Sequence, residues 1–241
     1  MHAQHHSTAY VLVAHGSRDV RSQQSFQQLT DLFRQGLASS GVSPHQIHSG
    51  TLEFGLPLEE QLQQVGGSLE SDSSASAEVK IVPLFLLAGT HLMSDIPNAI
   101  AVAQQQSPHV KFNLRPHLGS HSGVLALLRD RISTDYPWIL LAHGSRYPGG
   151  NTIAEEISAA LGTQPAYWSV APHLEESLTA LVDQGHRTVG VLPYFLFSGR
   201  ITDAILQQIY QLRCRFDNLD LKLAAPLNPS PALAKLLVDL I

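Results

Sequence analysis

Apolar runs of strand length alternate with longer amphipathic stretches along this chain, and the alternation happens twice. In the first half Tyr10–Ala14, Ile47–Phe54, Val79–Leu84 and Val110–Arg115 read as strands, while Arg18–Ser40, Pro57–Val65, Pro97–Gln106 and Ser122–Ile132 carry helical spacing. In the second half Trp138–Ala142, Ala166–Val170, Thr188–Leu192 and Leu219–Ala224 are the strand candidates. Thr152–Leu161, Leu174–Gln184, Ile201–Phe216 and Pro231–Leu240 are the helices between and after them. Strands that are apolar throughout and separated by helices predict a parallel sheet covered on both faces. Each half is therefore expected to be an α/β domain with a four-stranded parallel sheet.

The halves also share motifs. Ala14-His15-Gly16-Ser17-Arg18 closes the first strand of one half and Ala142-His143-Gly144-Ser145-Arg146 the first strand of the other. Pro83-Leu84-Phe85-Leu86 and its continuation to His91 recur as Pro193-Tyr194-Phe195-Leu196 running to Arg200. Self-similarity in fixed order marks an internal duplication. His15 and Pro83 lie 68 positions apart against 50 for His143 and Pro193, mostly because the first helix is longer. The rest of the excess is the Ser-rich stretch 66–77, a mobile surface loop by composition. Ser133–Pro137 is the natural boundary, giving domains 1–135 and 136–241.

Composition narrows the possibilities. Of 241 residues 44% are apolar, enough for two cores, and no apolar run reaches the ~20 residues of a membrane span. The polar start, Met1 to Ser7, does not read as a secretory signal. One cysteine, Cys214, allows neither an internal disulfide nor a cysteine-ligated cluster, so the cytoplasm is the expected location. A formal charge of −5 without a basic stripe argues against nucleic acid. Eleven arginines against four lysines keep a polyanionic small molecule in view, since Arg pairs best with carboxylates.

Ligands of open parallel sheets bind beyond the carboxyl ends of the strands. At those ends the first half places His15, Glu53, His91 and His117, and the second half His143, Ser169, Arg200 and approximately Pro226. Two imidazoles with a carboxylate suit a transition metal, and equally suit removal of a proton from a substrate. Glu53 reads as well as a solvated strand end, and Ser94 or Asp95 reads as the cap of a helix with Pro97 in its first turn, so that Asp95 reads as a cap rather than a catalyst. His117 and His121 suit structural or substrate-contact roles, and His2, His5 and His6 at most weak metal scavenging. A histidine phosphatase would need Arg directly before the motif histidine, where Ala14 and Ala142 stand. A non-catalytic metal carrier using the same two histidines remains an alternative.

These motifs resemble the long, two-domain sirohydrochlorin chelatases of the CbiX/SirB type, within the class II chelatases. The resemblance rests on Ala14–Arg18, on Leu52-Glu53 with Pro57, on Pro83–Pro97 and on Leu118-Gly119, with a weaker echo in the second half. It implies two flavodoxin-like halves related by a pseudo-two-fold axis, and insertion of Co²⁺ or Fe²⁺ into sirohydrochlorin, with Ni²⁺ or Zn²⁺ as test-tube substitutes and no other cofactor. His15 and His91 match the metal-handling histidines and Glu53 the nearby carboxylate. Arg18, Arg115, Arg146 and Arg200 are candidate partners for the eight carboxylates of that tetrapyrrole. The resemblance further implies a monomer whose halves stand in for the two subunits of short forms. Arg200 and Ser169 depart from the pattern, making the second half a degenerate copy.

Overall fold

The computed structural model describes residues 7–69 and 77–241. His2, His5 and His6 and most of the Ser-rich stretch lie outside the described residues. The first half runs β1 (Ser7–Ala14), α1 (Val20–Ala38), β2 (Ile47–Thr51), α2 (Leu58–Leu69), β3 (Ala77–Pro83), α3 (Ile96–Gln106), β4 (Val110–Leu114) and α4 (Gly123–Arg129). The second runs β5 (Trp138–Ala142), α5 (Thr152–Leu161), β6 (Gln164–Tyr167), α6 (Leu174–Asp183), β7 (Thr188–Tyr194), α7 (Arg200–Arg215), β8 (Asp220–Leu223) and α8 (Pro231–Asp239). The additional length of the first half sits where expected, in the 19-residue α1 against the 10-residue α5.

Both sheets are four-stranded and parallel, ordered β2-β1-β3-β4 and β6-β5-β7-β8. Every residue from Ala9 to Ala14, and every residue of β5, is buried. Successive side chains of a strand point to opposite faces, so continuous burial means that both faces of each central strand are covered. In the first sheet the chain moves outward from β1 to β2, then returns past β1 to β3 and on to β4. Right-handed crossovers then place α1 on one face and α2 with α3 on the other. The packing of α2 on α3, and of both on the sheet, agrees with this. The strand order reverses between β1 and β3, which opens a crevice at their carboxyl ends.

The compact units are not contiguous in sequence. One consists of Met1–Phe85, Thr90–His121 and Ser230–Ile241, the other of Leu86–Gly89 and Ser122–Pro229. Residue 135 lies between the two sheets, and the helix that follows each fourth strand belongs to the compact unit of the other sheet. In the first unit α8 lies along α1, with Gly36 giving the room that a Cβ would fill 2.9 Å from Val238. Arg115 Nε, at the end of β4, donates to the Leu240 carbonyl at 2.9 Å. In the second unit α4 packs on α5, and the Arg131 guanidinium donates to the carbonyls of Ala225, Pro226 and Leu227 at 3.2, 2.5 and 2.6 Å. Both helices are short and apolar on one side, so local pattern cannot say which sheet either one covers. The second unit is filled by Ile139, Leu141, Val189 and Val191 of its sheet against Leu178, Ile205 and Ile209 of its helices.

Candidate active site

The loop after β1 is shaped by one glycine. Gly16 has φ +94°, and a Cβ there would sit 2.4 Å from the Glu53 carbonyl oxygen, so only glycine lets the β1 and β2 exits come this close. The two exits are laced past the strand ends: Leu52 N–H donates to Ala14 O at 3.1 Å and Glu53 N–H to His15 O at 2.9 Å. Strand β2 ends at Thr51, two residues before Glu53, and the carboxylate is therefore carried by a turn. Phe54 follows with φ 64°, a strained value for a bulky residue, and is exposed. The Arg18 guanidinium lies over its ring at 4.8 Å. Asp19 caps α1 by accepting from Arg21 N–H at 3.0 Å, and the Arg21 side chain holds the Asp19 carboxyl below its ordinary range.

The third strand supplies the second imidazole. His91 opens a single π-turn, His91–Asp95, closed by the Ile96 N–H on the His91 carbonyl, before α3 begins. Its ring meets that of His15 edge to face, with centroids 4.6 Å apart and planes at 82°. His15 Nε2 lies 3.8 Å from Glu53 Oε1, beyond a direct hydrogen bond. His15 Nδ1 is 3.2 Å from the Gly16 carbonyl, and His91 Nδ1 is 2.6 Å from Asp95 Oδ2. The side chains of His15, Glu53, His91 and Asp95 keep 37–47% of their surface, which leaves the cluster open to a ligand. The same two turns expose Phe54, Leu56 and Met93.

The structure thus brings His15, Glu53 and His91 together and sets Arg18 beside them. Asp95 does not cap α3: its backbone is helical, at φ −67° and ψ −47°, it makes no capping bond, and its carboxylate is held by His91. Only an Asp four residues after a His hints at this in the sequence, and that spacing equally fits a cap. Phe54 and Met93 carry no sequence signal beyond their neighbours Glu53 and His91. Arg115 is taken up in holding α8. His117 turns Nε2 into the interior, where it has no hydrogen-bond partner among the described residues, and burial lowers its pKa. Among the described residues no group of three or more His, Cys, Asp and Glu side chains is spaced to hold a metal ion. No described helix is long and apolar enough to cross a membrane.

The second half rebuilds the same scaffold with other residues. Trp168 and Ser169 N–H donate to Ala142 O and His143 O, both at 2.9 Å, and His143 Nδ1 lies 3.0 Å from the Gly144 carbonyl. Gly144 again has positive φ, +82°. Ser169 occupies the place of Glu53, Arg200 that of His91, and α7 starts directly as an α-helix at Arg200. Arg146 and Arg200 are both exposed.

Comparison with known proteins agrees with the duplication. A family model described as CbiX matches residues 9–135 and, separately, 137–241. The sirohydrochlorin cobaltochelatase of Priestia megaterium is 25% identical over 253 residues, spanning 98% of this chain and 79% of that protein. The sirohydrochlorin ferrochelatase of Bacillus subtilis (strain 168) is 24% identical, spanning 88% of this chain and 82% of its own. The sirohydrochlorin chelatase SirB of Bacillus subtilis subspecies spizizenii, solved in complex with cobalt, superposes with a TM-score of 0.74 at 22% identity over 98% of this chain and 94% of that one. SirB from Bacillus subtilis with Fe³⁺ gives 0.76 at 23% identity, over 97% and 94%. With both halves matched by its model, the chain belongs to the CbiX family.

Proposed function

We propose that this protein inserts a divalent metal, Co²⁺ or Fe²⁺, into sirohydrochlorin. The observation that carries the proposal is the meeting of His15, His91 and Glu53 at the sheet's switch point, 4.6 Å between ring centroids and 3.8 Å from imidazole to carboxylate. Support also comes from membership of the CbiX family and from relatives named as sirohydrochlorin cobalto- and ferrochelatases. The working site belongs to the first half, and the second half is a degenerate copy lacking the carboxylate and one imidazole.

The metal ion is a substrate. A ligand set of two imidazoles, with Glu53 alongside, binds the ion while leaving most coordination positions to water and then to the macrocycle. Insertion requires two pyrrole N–H protons to leave as four nitrogen lone pairs close on M²⁺. The macrocycle thereby becomes a dianion, the metal complex of the core is neutral, and two protons are released. Glu53, half exposed and 3.8 Å from His15, is the acceptor placed to take a proton from a macrocycle lying over the imidazoles and pass it to solvent. Phe54, Leu56 and Met93 offer an apolar surface around the polar centre, suited to the face of a tetrapyrrole. Arg18 is set to pair with a peripheral carboxylate, a charge-assisted contact, and Arg146 and Arg200 of the second unit are further candidates. The protein is expected to work as a monomer in the cytoplasm.

The test is anaerobic mixing of the protein with sirohydrochlorin and Co²⁺ or Fe²⁺, followed by absorbance. A metal-dependent spectral change far faster than the spontaneous rate is expected. Tight Co²⁺ binding with no acceleration of insertion would overturn the proposal in favour of a metal carrier.

A further inference from the structure

We propose that Asp95 is a positioning residue, fixing His91 as the Nδ1–H tautomer so that its Nε2 lone pair is presented to the incoming metal. A neutral imidazole has one donor and one acceptor nitrogen, and a carboxylate can only accept. With Asp95 Oδ2 2.6 Å from His91 Nδ1, the proton sits on Nδ1 and the lone pair on Nε2. His15 is anchored in the same sense by the Gly16 carbonyl at 3.2 Å. In both rings the anchor at Nδ1 leaves the lone pair on Nε2, but of the two only His91 has an anionic anchor, which raises its strength as a ligand.

Two further observations single out Asp95. Its carboxylate is not spent on α3, where a residue at that position ordinarily caps the helix. His91 and Asp95 are the two ends of the π-turn, a local departure from α-helix that recurs at functional sites. The duplication supplies an internal comparison. Asp95 follows His91 by four residues across the π-turn, whereas in the second half Asp203 follows Arg200 by three in a regular helix, with no imidazole for it to hold. Where the imidazole is absent the π-turn is absent with it, although the carbonyl anchor of His143 persists at 3.0 Å.

This inference rests on the proposed chelatase reaction for its catalytic consequence, but its first test does not. In the metal-free protein at pH 8, long-range ¹H–¹⁵N spectra of the His91 ring should show Nδ1 protonated and Nε2 bare. Asp95→Ala should shift the ring towards the Nε2–H form and weaken Co²⁺ binding about 10–100-fold by calorimetry. Asp95→Asn keeps the shape, guards against misfolding of the alanine variant, and should weaken Co²⁺ binding in the same direction by a smaller factor. In the insertion assay kcat should fall by a similar factor, with KM for sirohydrochlorin changed less than about twofold. An Nε2–H ring in the wild type, or Co²⁺ affinity unchanged in both folded variants, would overturn the proposal. Failure of the wild type to metallate sirohydrochlorin would instead overturn the chelatase reading, leaving the tautomer and Co²⁺ binding to decide on Asp95.

Discussion

Replacing Gly16 with alanine tests whether the close approach of two backbones creates the site. Two costs can be separated. An L-residue at φ +94° loses about 1–2 kcal/mol whatever surrounds it. The added Cβ also starts 2.4 Å from the Glu53 carbonyl oxygen and must reach about 3.0 Å, so the turn bearing Glu53 has to retreat by roughly 0.6 Å. That retreat strains the Glu53 N–H to His15 O bond of 2.9 Å, worth about 1 kcal/mol more. The total, about 2–3 kcal/mol, is small enough for a domain of ordinary stability to remain folded. Gly41→Ala is the control: its φ is +82°, but nothing lies within 4 Å of the new Cβ, so only the first cost applies. Function should separate the two more sharply. Misplacement approaching 1 Å in a catalytic group costs up to about 100-fold, so Gly16→Ala should lower kcat/KM for metal insertion by about 10–100-fold and Gly41→Ala should leave it unchanged. Urea unfolding and the absorbance assay on both variants provide the measurement. If Gly16→Ala were no less stable than Gly41→Ala and fully active, the close approach would have no bearing on the site.

His91→Ala should abolish nearly all insertion while leaving the fold intact, and His143→Ala should cost much less; equal losses in the rate assay would point to two working sites. Burial holds His117 neutral, so its contribution to stability is whole above the ordinary histidine pKa of about 6.5 and is lost as pH falls through the lower folded value. His117→Gln should therefore flatten the decline in unfolding free energy between pH 7 and pH 5; parallel slopes for variant and wild type would refute this. Leu237→Ala, at a fully buried position of α8, should cost about 2–5 kcal/mol. Amide exchange should then speed up in β1 and β3 rather than in β5 and β7, and the opposite pattern would show that α8 stabilises the other sheet.

The sheets were legible because their strands are apolar throughout, a pattern that only two-sided burial requires, and because the duplication sets the register of one half by the other. His15, Glu53 and His91 were legible because chemistry in such sheets collects at strand ends. What the sequence does not reveal depends on contacts between residues that share no period. Asp95 sits four residues from His91, a spacing that a cap, a salt bridge and a π-turn all satisfy, and only the backbone at φ −67° and ψ −47° decides among them. Arg115 lies at a strand end like His15, Glu53 and His91, yet a carbonyl 125 residues away claims it. The destinations of α4 and α8 were invisible for the same reason: either amphipathic stripe would fit either sheet.

The presence of α8 in the first unit has a consequence for synthesis on the ribosome. Leu29, Phe33 and Leu37 of α1 emerge early, but Leu233, Ala234, Leu236 and Leu237 of α8 are made about two hundred residues later. The first sheet cannot close its core while the second is being translated. It must wait, with one flank open, while β5 to β8 are made. The second unit, whose segments from Ser122 to Pro229 are nearly contiguous, has no such delay. The half that is read first is therefore the half completed last, and the loops bearing His15 and His91 gain their full support only when α8 leaves the exit tunnel.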